Sequence, residues 1–414
     1  MRLFRSRYEQ TAETHRTTTF EIFFDLVFVF ALTRIVEFMA HPATAVTMGR
    51  GLLLFLLLWY SWSAYAWLGN EVRADVGLIR TGTMAAMAAL FVAALVIPNA
   101  WRGDSEGGLP APLILALSYM AVRVLHVLLY LHVSASRQLS RTLRLVALPG
   151  ALGWLTLVAG ALVGGGTAQT ALWVLAFAID VGGGRFATRY SPWQLRSASH
   201  FSERHRLVLI IAIGEALISI GTGAGAEMTR WRLLAAALLG FAVAVSLWRL
   251  YFDRVAPAVE GALTEASEPR RGTIAGDAYS LAHFPLIAGI MYVALGIEQV
   301  LATLTHATPG NVHGAVRMPG LVALYVGGAL YLAGRALVVR LSSGGFPLLP
   351  LAGGAVLLVL LPVATLLPAL AALALLVVVL AVQCTVERRW PGRLGQQPPA
   401  RAARPPAAPG GPAA

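Results

Sequence analysis

Lysine is missing from this chain: all 32 basic residues are arginine, and 20 acidic residues leave a net charge of +12. Cysteine is reduced to Cys384 alone, which excludes an internal disulfide framework and any metal site built on paired cysteines. Charge is scarce too. Only 13% of residues are charged against 57% hydrophobic, and the mean hydropathy of +0.69 lies far from that of soluble domains. Nucleotide-binding loops are not found, since "GLLLFLLL" has no phosphate-loop glycines and "VGGGRFATR" lacks the Lys-Ser/Thr ending. No G-x-S-x-G nucleophile motif occurs either. ATP-driven transport and serine hydrolysis of that kind therefore lose support. The opening "MRLFRSRYEQTAETHR" has no apolar core or small-residue cleavage site, so it does not read as a cleaved signal peptide.

What the chain has is apolar length. Stretches able to cross a hydrocarbon core of roughly 30 Å as helices recur at about 20–41, 47–69, 77–99, 111–133, 143–164, 168–183, 204–224, 231–251, 278–302, 318–340, 346–366 and 369–386. The pattern predicts an all-α polytopic membrane helix bundle of about twelve transmembrane helices, with no room for a soluble catalytic domain. Boundaries fall at Pro42, Pro98, Pro110 with Pro112, and at the glycine triplets 164–166 and 182–184; the last two spans part only around Pro368. A cytoplasmic N-terminal segment is expected over 1–19, the membrane domain over 20–390, and a disordered cytoplasmic tail over 391–414.

With loops placed on alternate sides, one face holds only Arg50, Arg102, Arg230, Arg232 and Arg317, while Arg34, Arg123, Arg249 and Arg335 fall inside spans. The other arginines share the face of both termini. That is the positive-inside pattern of an inner-membrane protein with cytoplasmic termini. The pI near 10.6 could suggest nucleic acid, but arginines dispersed over loop ends suit anionic headgroups better. The expected partners are the bilayer and a small-molecule or ion substrate, with no cofactor and no nucleic acid.

Twelve spans invite a search for duplicated halves, here 20–184 and 200–386. "LVFVFALTR" from Leu26 aligns with "LVLIIAIGE" from Leu207, which sets Arg34 opposite Glu215. "SYMAVR" ending at Arg123 and "LYLAGR" ending at Arg335 each carry Tyr four residues before Arg, and Trp62 with Tyr65 matches Trp248 with Tyr251. Six spans per half would make the repeats parallel.

Charges inside spans are the candidate site, since each costs at least roughly 2.5–3.5 kcal/mol near the bilayer centre. Glu21 and Asp25, four apart, share a face of the first span; Arg34 lies half a turn round from Asp25 and can pair only with Glu37. Glu21 is expected at the interface, where Thr17 to Thr19 caps the helix and an acid suits its positive end. Asp25 sits a turn deeper and needs an outside partner: Arg123, or the basic mouth of the seventh span. In the fourth span Tyr119, Arg123, His126 and Tyr130 form one inward stripe, with Asp25, Asp180 or Glu215 as partners for Arg123. The seventh span opens on His200, Glu203 and His205 and buries Glu215 deeper, a combination suited to proton handling. The H-x-x-E-x-H spacing matches no standard helical metal site, so no metal is expected. Arg249 and Asp253, four apart, suit an interfacial pair; the ninth span carries His283, Pro285 and Glu298, and Trp59 is deep enough to line a pocket.

Several motifs together resemble the bacterial low temperature requirement protein A family: "FEIFFDLVFVFALT", "NEVRADVGLIRTGTMAAM", "YMAVRVLHVLLY", "ALWVLAFAID", "HFSERHRLVLIIAIGEALISIG", "LWRLYFD" and "DAYSLAHFPLIAGI". The resemblance runs from about Arg16 to about Arg389 and is most specific in the first and seventh spans. It implies a multipass inner-membrane protein without a settled substrate or reaction, and draws interest to Glu21, Asp25, Glu203, Arg204 and Glu215. The residues themselves suggest a secondary transporter coupled to protons or a cation. Glu21, Asp25 and Glu215 would be carriers, Arg123 and Arg335 their counter-charges or anion contacts, and His126, His205 and His283 relays. The alternative is a membrane-embedded enzyme using Glu203 or His205 in acid-base chemistry on a lipid. Convergence of Asp25, Arg123 and Glu215 on one site is the expectation that tests this picture.

Overall fold

The computed structural model describes residues 9–103, 108–133, 137–190, 195–224, 230–305 and 315–389, the side chains of 137–146, 187–190 and 224 excepted. The tail at 391–414 lies outside the described residues, as do residues 1–8 of the N-terminal segment. The helices are α1 (Thr19–Ala40), α2 (Ala45–Glu71), α3 (Gly77–Val96), α4 (Ala111–Val133), α5 (Arg137–Val163), α6 (Thr167–Tyr190) and α7 (Ala198–Ala224). They continue as α8 (Trp231–Phe252), α9 (Val255–Glu265), α10 (Glu268–Ile274), α11 (His283–Thr305), α12 (Met318–Ser343), α13 (Leu348–Ala364) and α14 (Ala369–Arg389). No strand occurs among the described residues beyond an isolated bridge between Gln10 and Val72.

The twelve anticipated spans correspond to α1–α8 and α11–α14. Among the described residues eight helical stretches are long and apolar enough to cross a membrane, and the chain is a multipass all-α membrane bundle. Not foreseen were α9, α10 and a π-helical turn, Ala275–Leu281, which leads into α11. Local chemistry sets the starts. Thr18 and Glu21 form a reciprocal capping box at α1, and Thr44 and Thr47 do the same at α2.

One boundary signal proved to be a packing signal. Gly182 to Gly184 lie inside α6, where Gly183 faces the Pro149 ring of α5 and Gly184 faces the Tyr60 hydroxyl of α2. Gly164 and Gly166 do end α5, with φ of +75° and +91° that favour glycine. The tightest seam joins α11 to α12: a Cβ at Gly289 would lie 2.5 Å from the Tyr331 nitrogen and 2.7 Å from the Gly327 oxygen. Small residues there let two backbones touch, the usual way helices associate where apolar burial gives no advantage over lipid.

Helix α1 packs against α2, α3, α7 and α11. Its Phe23 and Leu26 are 57% and 49% exposed, whereas the intervening Asp25 is fully buried. The acid points into the bundle while its apolar neighbours face outward.

Candidate functional site

At the end of the bundle where α1 begins, α1, α2 and α7 enclose an ionic cluster. Arg204 donates from Nε (3.2 Å) and Nη2 (2.6 Å) to the two carboxylate oxygens of Asp25, and from Nη1 (3.0 Å) to Oε1 of Glu21. Trp62 adds a 2.7 Å bond from its indole N–H to Asp25. Glu21 also accepts from His200 Nε2 at 2.9 Å and from the Thr18 amide at 2.9 Å. With its Nε2 proton committed to Glu21, the His200 ring presents Nδ1 as an acceptor toward the Asn70 amide, 3.5 Å away. Close approach of α2 is possible because residue 69 is glycine: a Cβ there would sit 2.6 Å from Glu21 Oε1.

This geometry sharpens two expectations. Glu21 caps α1 as expected, and it is also only 2% exposed and part of the internal cluster. Asp25 finds its partner at the seventh helix, in Arg204, and not in Arg123. Helix α7 begins six residues before the anticipated 204, so Arg204 is a buried residue of the second turn.

The His200, Glu203 and His205 group is dispersed. Glu203 accepts from the Thr17 amide at 2.9 Å, and His205 faces inward, ringed by Trp62, Phe201, Tyr279 and His283. The enzyme alternative needed Glu203 and His205 together, and these side chains serve different neighbours. A different trio, His15, Glu21 and His200, brings three ligand atoms within 4.8 Å of one another. Its central oxygen is already shared by Arg204 and His200, and a guanidinium 3.0 Å away opposes a metal cation. Before α1, burial and the neighbouring His200 ring hold His15 below the ordinary imidazole value. Hydrogen bonding to Arg73 depresses the Asp75 carboxyl.

A second constellation lies between α2, α4, α5 and α6. Of the three partners considered for Arg123 the structure selects Asp180, at 3.2 Å. Tyr119 (3.1 Å) and Trp154 (3.3 Å) donate to the other Asp180 oxygen, and the guanidinium lies 4.5 Å from the Tyr60 ring centroid. Tyr119, Arg123, His126 and Tyr130 are all buried, as their shared face demands. Arg123 and His126 line a cavity of about 360 Å³ bounded by α2, α4, α6, α10 and the π-helical turn. Its walls include Trp59, as anticipated, together with Tyr60 and Trp67.

Glu215 stands apart from both. It accepts a 2.6 Å bond from Thr33 and makes no ion pair among the described residues. Glu298 is likewise buried in α11 without an ion pair among them. Asp25, Arg123 and Glu215 therefore do not converge: the single anticipated site resolves into three separate ones, because each residue faces a different helix. His283 accepts from Tyr251 at 2.7 Å and packs 5.3 Å from the His205 ring, whereas His126 belongs to the cavity. Arg335 of α12 pairs with both oxygens of Glu387 on α14, at 3.1 and 2.8 Å. Arg34 with Glu37 and Arg249 with Asp253 form the anticipated local pairs.

Fold and interior charges together define a multipass helical membrane protein that holds ionisable side chains away from lipid. Residues 16–384 match the description "Bacterial low temperature requirement A protein (LtrA)", and the chain belongs to that family. It is 26% identical over 313 residues to an uncharacterized protein of Rhizobium meliloti (strain 1021), covering 72% of each chain. No solved structure matches.

Proposed function

We propose that the protein is a secondary transporter of the inner membrane, with both termini cytoplasmic, coupled to protons or a cation. One observation carries the reading: Glu215 sits deep in α7, 1% exposed, with a threonine hydroxyl and, among the described residues, no cationic side chain as its partner. A carboxylate in such surroundings needs a mobile counter-charge, a proton or a metal cation, to be tolerated. Glu298 gives the same interior a second acid of this kind. Asp25 and Glu21 are not carriers in this scheme, because Arg204 holds both carboxylates in place.

The proposed parallel halves, 20–184 and 200–386, gain support from side-chain chemistry. Tyr119 and Arg123 on α4 meet an acid on α6, Asp180; Arg335, with Tyr331 four residues before it on α12, meets an acid on α14, Glu387. An internal repeat with a site between its units is a common transporter plan.

Proteoliposomes loaded with a pH-sensitive dye test the reading. Solutes added outside are expected to drive proton movement that falls at least tenfold in Glu215→Gln protein of unchanged thermal stability. Proton movement that persists in Glu215→Gln would remove the carrier role assigned to this residue.

A further inference from the structure

We infer that the cavity beside Arg123 is a binding subsite for an organic anion, a carboxylate or phosphate group carried on an apolar or aromatic body. This rests on the transporter reading for its biological sense and names the substrate class. Its physical basis is the cavity itself.

Arg123 is 3% exposed and lines the cavity; among the described residues Asp180 takes one of its three nitrogens, and the guanidinium packs against Tyr60. Its Nε and Nη1 are buried with no hydrogen-bond partner. An arginine can present five N–H donors in a planar fork, and a buried donor left unmatched is destabilising. A carboxylate or phosphate oxygen matches such a fork. Asp180 does not compete for the space: it is held by Tyr119 and Trp154 and does not line the cavity. The anchored acid fixes the arginine in place at the cavity wall.

The second orphan is an acceptor, which suits a donor on the body of the ligand and not its anionic group. His126 Nε2 lies 3.1 Å from the Ala64 carbonyl, so that nitrogen carries the proton and the unpartnered Nδ1 is an acceptor. Trp59, Tyr60 and Trp67 supply apolar wall. At about 360 Å³ the space accommodates a small organic molecule rather than a bare inorganic ion. At the rim, Arg185 pairs with Asp277 at 2.9 Å and is half exposed, a second guanidinium on the path inward.

The test is equilibrium binding of radiolabelled benzoate to the full chain in phosphatidylcholine nanodiscs, with neutral benzamide as competitor. Saturable benzoate binding is expected, with benzamide at least tenfold weaker. Arg123→Gln/Asp180→Asn, which removes both charges together, should weaken benzoate at least tenfold. Should that pair fail to fold, Gly276→Leu serves instead: a Cβ at this cavity-lining position meets nothing within 4 Å, so the side chain grows into the space. It should block benzoate equally. Repeating the titration with phosphatidylglycerol present separates two sources of the anion: competition assigns the subsite to a lipid headgroup, and no competition to a soluble solute.

Equal affinity for benzamide, no saturable benzoate binding, or unaltered binding in whichever variants fold would overturn the inference. Binding without benzoate or proton flux in proteoliposomes leaves the subsite standing and removes the transporter reading. Proton-coupled flux of another solute without benzoate binding does the reverse.

Discussion

Replacing Arg204 with methionine isolates what the ionic cluster contributes. The guanidinium is 2% exposed and supplies two of the three bonds to Asp25 and one of the bonds to Glu21. After Arg204→Met, Glu21 keeps His200 and Thr18, but fully buried Asp25 keeps only the Trp62 indole. Breaking a buried ion pair from one side costs about 3–5 kcal/mol, chiefly the penalty of the charge left behind. Most of that loss should therefore be assignable to Asp25. Adding Asp25→Asn to Arg204→Met should recover about half or more, and further adding Glu21→Gln should bring stability to within about 1–2 kcal/mol of the parent, since a neutral replacement of a buried ionic group is often tolerated. Reversible unfolding in mixed detergent micelles, analysed as a mutant cycle, measures these differences. A triple variant no more stable than Arg204→Met alone would refute the reasoning, because the loss would then come from packing and not from uncompensated charge.

Substitution along the α11–α12 seam should be felt at once: Gly289→Ala is expected to lower stability by about 1–3 kcal/mol through overpacking, with Gly289→Val worse, both read by thermal denaturation. A parent-like Gly289→Ala would show that the seam can separate freely. His15 should make stability fall on acidification. Its value lies below the ordinary imidazole value in the folded chain, so between the two values the unfolded chain binds the additional proton. Its contribution is complete above about pH 6.5, the unperturbed value, and declines as pH drops toward the depressed one; a His15→Gln chain should show a flatter thermal-denaturation profile across that window. Glu215→Gln, beyond its effect on flux, should leave unfolding unchanged or raise stability slightly, since it removes a buried acid that has no cationic partner among the described residues.

Hydropathy made the spans legible, because a bilayer demands helices long enough to satisfy every backbone group internally. Periodicity also placed the Tyr119–Tyr130 stripe inside and predicted the local Arg34–Glu37 and Arg249–Asp253 pairs, which depend only on spacing along one helix. Pairing between helices was far less visible. Asp180 was one of three partners considered for Arg123, and the choice turned on how α4 meets α6. For Asp25 the basic mouth of the seventh span was one of two partners considered, and Arg204 was not singled out within it because the span was started at that residue. The capping serine run and the apolar Phe201 before it were the signals that the helix begins earlier. Glycine in α6 was read as a breaker, since sequence alone does not distinguish a turn from a close approach by Pro149 or Tyr60. The short α9 and α10 lay in a segment too polar to register as spans.

The Asp25–Arg204 pair also dictates an order of assembly. Its members are separated by 179 positions, and at synthesis rates of about 5–20 residues per second α7 follows α1 from the ribosome by roughly 10–35 s. For that interval α1 must lodge in or beside the membrane with its acids lacking their cation. Trp62, 37 positions after Asp25, arrives first, so the indole is the earliest native partner the aspartate meets. A chain truncated before Ala198 should consequently leave α1 poorly inserted and exposed to membrane proteases, although every apolar residue of that helix is present.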